Sequence, residues 1–194
     1  SHFRAGEITY EWIGTSCTDY TYRFTITIYT NTCNTSTDDC TEDLYVGEYD
    51  NNFNPIVITL PRTNGNTLLQ LCSGYPNPIP TDGVQVAPCI KKNVYTGTYT
   101  YQNPGQKNIY MESYARNSGI VNIPNSGLSA FYLKAYLNIN AFACPQNSSV
   151  QLSVDPIDQA CFYQCFTHNA GAWDPNGDRL TYELINCLGA GGTT

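Results

Sequence analysis

The stretch YTYRFTITIY, Tyr20 to Tyr29, decides the fold class of this chain. Apolar and aromatic side chains occupy every second position, and polar side chains, mainly threonine, occupy the positions between them. Because successive side chains of a strand point to opposite faces of a sheet, this pattern predicts a strand with one buried face and one solvated face. The predicted buried face consists of Tyr20, Tyr22, Phe24, Ile26 and Ile28.

The stretch FYLKAYLNI, Phe131 to Ile139, alternates in the same way. Its predicted buried face consists of Phe131, Leu133, Ala135, Leu137 and Ile139. Weaker strand candidates are Ile8–Ile13, Leu44–Tyr49, Ile56–Leu60, Val94–Tyr101, Ile109–Tyr114, Val150–Val154 and Leu180–Ile185. Clusters of Asn, Gly and Pro separate these segments, and none of the segments has a helical period of apolar residues. Many short strands with regular turns predict an all-β antiparallel sandwich or barrel, and we expect a β-sandwich.

A break in the pattern near residues 143–147 predicts two domains. The strands before it suffice for one sandwich of ordinary domain size. The remaining part, about 50 residues, is short for an independent hydrophobic core. We therefore predict a β-sandwich domain over residues 1–142 and the first strands of an incomplete, Ig-like β-domain over residues 143–194.

Composition and charge narrow the class of partner. The chain has 194 residues, a formal net charge of -7 and only 13% charged residues. A phosphate backbone and an anionic membrane surface would both be repelled, so we expect no nucleic-acid partner. No apolar run approaches the roughly 20 residues that a membrane-spanning helix needs. Polar, weakly charged surfaces of this kind are common in extracellular β-proteins.

Nine cysteines, with a single methionine, indicate an oxidising compartment and disulfide bonds. The candidates are Cys17, Cys33, Cys40, Cys72, Cys89, Cys144, Cys161, Cys165 and Cys187. Their spacing lacks the paired C-x2-C pattern of structural zinc sites. The number is odd, so we expect either one free thiol or a partner cysteine outside this sequence. The pairing itself cannot be read from the spacing. The start at Ser1 fits a mature protein after removal of a leader peptide.

The segment AWDPNGDRLTYEL, Ala172 to Leu184, carries oxygen-bearing side chains at Asp174, Asn176 and Asp178. Alternate carboxylates and amides in a tight turn can supply several calcium ligands, so calcium is a candidate cofactor. A helix-loop-helix calcium loop is excluded because its twelfth position, a glutamate in that motif, is Ile185 here. The alternative is a turn between two strands, in which the Asp side chains accept backbone N–H groups.

Sixteen tyrosines suggest a second kind of site. Tyr95, Tyr99 and Tyr101 share one face of a predicted strand whose other face is Val and Thr. An exposed row of aromatic rings can stack on sugar rings or anchor a protein interface. The alternative is that the rings are buried and only the hydroxyls reach water. The two histidines are far apart in sequence, and the chain has no G-x-S-x-G or H-E-x-x-H motif, so we expect no enzyme.

Three stretches together resemble one family: SHFRAGEITY at residues 1–10, YARNSGIVNI at residues 114–123 and DPNGDRLTYEL at residues 174–184. They are similar to the N-terminal region of large gliding-motility-associated surface adhesins of Bacteroidota. Ala5 stands where the family often has glycine, Asn176 replaces an aspartate, and the segment before Arg116 lacks cysteines often found there. The resemblance implies export by the type IX secretion system and a chain that continues beyond Thr194.

From this resemblance we expect a non-catalytic N-terminal module of a long secreted cell-surface adhesin for surface attachment or gliding motility. Its partners would be an extracellular surface or polysaccharide, the type IX secretion machinery and further domains of the same chain. Two alternatives stay open. One is a structural subunit of an extracellular filament, and the other is a carbohydrate-active or proteolytic enzyme whose site is not visible in the sequence.

Overall fold

Two four-stranded antiparallel sheets contain most of the strand residues of the protein. The structure, a computed structural model, describes residues 3–33, 38–65, 71–75, 79–114, 116–156, 161 and 163–193. The strands are β1 (Phe3–Trp12), β2 (Tyr20–Asn31), β3 (Thr41–Tyr49), β4 (Pro55–Pro61), β5 (Val84–Ala87), β6 (Ile90–Tyr101), β7 (Gly105–Ser113), β8 (Phe131–Ile139), β9 (Gln151–Leu152) and β10 (Ala172–Trp173). Sheet A has the order β1-β2-β6-β5, and sheet B has the order β4-β3-β7-β8.

The inner faces of the two sheets form one hydrophobic core. The core residues are Phe3, Tyr10, Tyr20, Tyr22, Phe24, Ile26, Ile28, Leu44, Val46, Leu60, Tyr95, Tyr101, Ile109, Met111, Phe131, Leu137 and Ile139. They include the whole predicted buried face of Tyr20–Tyr29, and Leu133 and Ala135 of the second predicted face pack against the cluster. The prediction of a β-sandwich is confirmed.

The central strand of sheet A is β2, which pairs with β1 on one side and with β6 on the other. Its register with β6 runs from Tyr20 opposite Tyr101 to Asn31 opposite Ile90. This register places the outward-facing threonines of β1, β2 and β6 side by side. Thr9 lies opposite Thr25, which in turn lies opposite Thr96.

Three disulfide bonds tie the loops of the sandwich together. They join Cys17 to Cys144, Cys33 to Cys89 and Cys40 to Cys72, with Cα–Cα distances of 5.1, 5.0 and 6.1 Å. These distances lie within the usual range for disulfides. The prediction of disulfides is confirmed for these six residues, whereas Cys161, Cys165 and Cys187 carry exposed free thiols.

The chain after β8 covers the open edge of β1. The Ser149 N–H donates to the Tyr10 carbonyl at 2.8 Å, and the Ser149 hydroxyl accepts the Tyr10 N–H at 2.8 Å. The Ser148 hydroxyl accepts the Trp12 N–H at 3.2 Å. An edge strand with unpaired N–H and C=O groups is prone to pairing with other chains, and this segment satisfies some of those groups.

Beyond this edge contact, strand structure in the C-terminal part is sparse. The predicted strand Val150–Val154 is confirmed only as β9, which pairs with β10. The predicted strand Leu180–Ile185 is wrong, because residues 180–185 form no ladder and Leu184 is fully exposed. The boundary after residue 142 and the Ig-like character of residues 143–194 stay predictions.

A polar cluster closes the core at the start of β3. Glu42 is buried, and its Oε1 atom has no hydrogen-bond partner within the described residues. Burial raises the pKa of Glu42 to about 8, aided by the negative Asp39 and Asp43 and opposed by Arg62. The Arg62 guanidinium is itself buried and donates to the Tyr95 hydroxyl at 3.0 Å and to the Pro80 carbonyl at 3.1 Å.

Neither of the short 3-10 helices found among the described residues is long and apolar enough to cross a membrane.

Candidate functional site

The predicted ligand-stacking row on β6 faces the core. Tyr95 and Tyr101 are only 2% exposed, and Tyr99 is half-buried against them. Their hydroxyls donate to the Asp39 carbonyl, the Val46 carbonyl and the Glu48 carboxylate. The prediction that this row stacks on a ligand is therefore wrong, because β6 turns its tyrosines toward sheet B and its threonines outward. The rings are buried or half-buried, as the alternative expected, but their hydroxyls bond to the protein and not to water.

A different set of tyrosines lies on the outer face of sheet B. We call it the tyrosine face, and it consists of Tyr45 and Tyr49 of β3, Tyr110 of β7, and Tyr132 and Tyr136 of β8. The Tyr45 and Tyr110 rings are parallel, with centroids 4.3 Å apart, and the Tyr110 and Tyr132 rings stack at 5.5 Å. Such contacts contribute about 0.5–1.5 kcal/mol each beyond area burial. They hold the rings in a fixed row across three strands.

The outer members of the tyrosine face are the most accessible. Tyr49 is 67% exposed and Tyr136 is 58% exposed. Burial raises the pKa of Tyr110, and the neighbouring Tyr45 and Tyr49 raise it further, so Tyr49 belongs to the same cluster. At the other end, Lys134 places its ammonium 4.7 Å from the centre of the Tyr136 ring.

Tyr45 and Tyr49 lie four residues apart on β3, so strand alternation places both on the outer face. Between Tyr45 and Tyr49 the pairing with β4 shifts register, and Gly47 in this bulge has a φ of 76°. A Cβ atom at Gly47 would stand 2.7 Å from the Asn108 backbone. Only glycine fits there without displacement, because it accepts positive φ and allows close backbone approach.

A groove with aromatic and polar walls lies on the other side of the molecule. It forms where the outer face of sheet A meets the chain after β8, and it has a volume of about 400 Å³. Thr9, Glu11, Arg23 and Thr25 line it from β1 and β2, and Trp173 lines it from β10. Trp12, the other tryptophan of the chain, also lines the groove.

The wall that carries Trp173 is fixed to sheet A. Asp155 accepts hydrogen bonds from the Tyr29 hydroxyl at 2.5 Å and from the Lys92 ammonium at 2.7 Å. The side-chain oxygen of Asn176 accepts the Ser148 N–H at 2.8 Å. The first two contacts join Asp155 to sheet A, and the third joins the turn after Trp173 to Ser148, which itself bonds to β1.

The Asp174–Asp178 segment folds as a tight turn next to Trp173. Asp174 Oδ1 accepts the backbone N–H of Asn176 at 2.8 Å and that of Asp178 at 3.1 Å, and Gly177 has a φ of 83°. This agrees with the turn alternative. The described residues contain no group of three or more His, Cys, Asp or Glu side chains placed to hold a metal ion. Calcium binding by Asp174, Asn176 and Asp178 stays a prediction.

Sequence reasoning missed both surfaces for identifiable reasons. The tyrosine face could have been found by reading the second face of Phe131–Ile139, where Tyr132, Lys134 and Tyr136 alternate with the apolar set. The groove has no local signal, because Thr9 and Trp173 come together only through the path of the chain after β8.

Comparison of the chain with models of protein families, with curated proteins and with solved structures finds no match. Any function must therefore be argued from the residues themselves. The tyrosine face and the groove lie on different sheets, so they can be tested separately.

Proposed function

We propose that this chain is a non-catalytic adhesive module of a long, secreted cell-surface protein that takes part in surface attachment or gliding motility. The resemblance of three stretches to the gliding-motility-associated adhesins of Bacteroidota supports this proposal, with the type IX machinery as the export route. The three disulfide bonds also support it, because such bonds persist in oxidising, extracellular settings.

The tyrosine face is the observation that carries the proposal. Tyrosine offers a large apolar ring and a hydroxyl, and it loses little conformational entropy on binding because it has few rotatable bonds. Here stacking has already restricted the rings of Tyr45, Tyr110 and Tyr132. Aromatic residues are enriched where proteins bind other proteins. Tyr132 is buried, whereas Tyr45 and Tyr110 are partly exposed and Tyr49 and Tyr136 are exposed. The accessible part of this row suits contact with an extracellular polymer.

The charge of the chain favours such an uncharged mode of adhesion. With a net charge of -7, the protein gains nothing from long-range attraction to anionic cell surfaces. Contacts made by aromatic rings and hydroxyls depend little on ionic strength, whereas contacts between exposed charges weaken as salt increases. We therefore expect adhesion to persist at high salt.

Attachment of protein-coated beads to polysaccharide-coated and protein-coated surfaces tests the proposal. The variant Tyr49→Ser/Tyr136→Ser removes the two most exposed rings, and Tyr182→Ser removes a ring of similar exposure (62%) outside the face. We expect the double variant to lose most of its attachment and the control to keep it, with equal thermal unfolding temperatures. Equal attachment by the double variant and the control would contradict the proposal. Assembly of the chain into filaments as its concentration rises would favour the filament alternative.

A further inference from the structure

We propose that the groove beside sheet A binds a short, neutral oligosaccharide. This inference goes beyond adhesion by the tyrosine face, from which the groove is separate. The shape of the groove, the exposed ring of Trp173 and the compensated charges of its floor support it.

The size of the groove fits a small ligand. Its volume of about 400 Å³ lies in the range of small-molecule sites, about 300–1,000 Å³. The groove is open to solvent, so a longer chain can pass through it. We therefore expect it to contact a di- or trisaccharide segment at a time.

The aromatic wall provides a flat apolar surface that is already in position. Trp173 is 55% exposed, although it belongs to the β9–β10 ladder and is followed directly by the Asp174 turn. The Trp12 indole is held by a hydrogen bond of 2.7 Å from its Nε1 to the Asp19 carbonyl. An exposed indole packs well against the C–H face of a sugar ring. The Trp12 side chain also packs against the hydrophobic core, so Trp173 provides the exposed aromatic surface of the groove.

The polar floor suits hydroxyl groups and disfavours charge. Arg23 Nη1 lies 3.0 Å from Glu11 Oε2, and the two side chains are 48% and 59% exposed. Their charges compensate each other, so the floor attracts neither anions nor cations strongly. The guanidinium keeps free N–H donors and the carboxylate keeps free lone pairs, which together can bind adjacent hydroxyls of a sugar. The cross-strand pair Thr9 and Thr25 adds further donors and acceptors.

A proline-rich peptide is the main competing occupant. It could also stack on Trp173, but it carries few groups that can use both members of the Arg23–Glu11 pair. A neutral saccharide uses the aromatic wall and the polar floor together. We therefore favour the saccharide and treat peptide binding as an outcome that would overturn the proposal.

Tryptophan fluorescence gives a direct test. The chain has only two tryptophans and both line the groove, so a change in tryptophan emission reports on this site. The intact, oxidised protein is titrated with neutral cello-, xylo-, manno- and chito-oligosaccharides, with oligogalacturonate as an acidic comparison, and with a proline-rich peptide. We expect at least one neutral oligosaccharide to shift the emission with a saturable dependence on concentration. Binding by none of them, or binding only of the acidic saccharide or the peptide, would overturn the proposal.

Variants then connect the binding to the groove. Affinities are measured by calorimetry, because Trp173→Ala also removes one of the two fluorescent reporters. We expect Trp173→Ala to weaken binding by about tenfold or more, in line with the loss of one aromatic contact. We expect Arg23→Gln to weaken it less and the exposed control Tyr182→Ala to leave it unchanged. Unchanged affinity in Trp173→Ala would overturn the assignment to this groove.

The outcome is independent of the adhesion proposal. The variant Tyr49→Ser/Tyr136→Ser leaves the groove intact and should bind the saccharide normally. Failure of saccharide binding with normal attachment of beads would therefore count against the groove alone.

Discussion

Glu42 should make the stability of this protein fall as the pH rises. In the folded chain its pKa is raised from 4.5 to about 8, first by burial and then by the neighbouring Asp39 and Asp43. At pH values between 4.5 and about 8, the Glu42 carboxyl is protonated in the folded state and ionised in the unfolded chain. The contribution of Glu42 is therefore fully present below pH 4.5 and is lost as the pH rises through about 8.

The size of this effect follows from the two pKa values. Since one pKa unit corresponds to 1.36 kcal/mol, the full change is on the order of 5 kcal/mol. Glu42 is only 9% exposed, so solvent reduces the effect little. A change of this size is a large part of the roughly 5–15 kcal/mol that stabilises an ordinary domain.

The assay is denaturant unfolding of the oxidised protein from pH 5 to pH 9, comparing the wild type with Glu42→Gln. Glutamine has nearly the same shape as protonated glutamate but cannot ionise, so the variant should lose much less stability over this range. Glu183→Gln, an exposed change in the C-terminal part, corrects for the loss of one charge. If the difference in unfolding free energy between wild type and Glu42→Gln stays constant across the range, the reasoning is refuted.

Three further predictions concern other parts of the chain. Replacing Cys17 and Cys144 with alanine opens a loop of 127 residues, of which the Cys33–Cys89 bond already closes 56, and should lower the free energy of unfolding by about 4 kcal/mol. Denaturant unfolding measures this loss, and a loss below about 1 kcal/mol would contradict the loop-entropy estimate. The buried Tyr22 hydroxyl has no hydrogen-bond partner among the described residues, so Tyr22→Phe should keep or raise the melting temperature. Tyr101→Phe removes a hydrogen bond to the Val46 carbonyl and should lower the free energy of unfolding by about 1 kcal/mol. Because Asp174 already closes its turn with two backbone bonds, we expect a chelator to leave the melting temperature unchanged; a calcium-dependent rise that Asp174→Asn abolishes would instead establish an ion site.

The sequence was sufficient for the class of fold because burial on one strand face leaves a strong period of two. The inward set of Tyr20–Tyr29 and most of that of Phe131–Ile139 were predictable residue by residue. Which face of β6 is buried could not be predicted, because a tyrosine side chain is apolar enough for the core and polar enough for the surface. Its threonine face is equally compatible with either side, so only the position of sheet B decides between them.

The pairing of cysteines and the groove depend on contacts between residues far apart in sequence. Cys17 meets Cys144 because the chain leaving β8 returns to the loop between β1 and β2. The same return places Trp173 near Thr9 and Arg23. No local pattern encodes such a path. It follows from the order of strands within the two sheets and from the contacts of the C-terminal part with β1.

The disulfide between Cys17 and Cys144 also determines how the protein would respond to mechanical load. If the chain is pulled at points before Cys17 and after Cys144, tension passes through the sulfur bridge and bypasses β2 to β8. Those strands then cannot be drawn out, and roughly 450 Å of contour length stays locked inside the loop of 127 residues. Under tension the part of the sandwich inside the disulfide-closed loop would be nearly inextensible. Only β1 and the segment after Cys144 could unfold and lengthen.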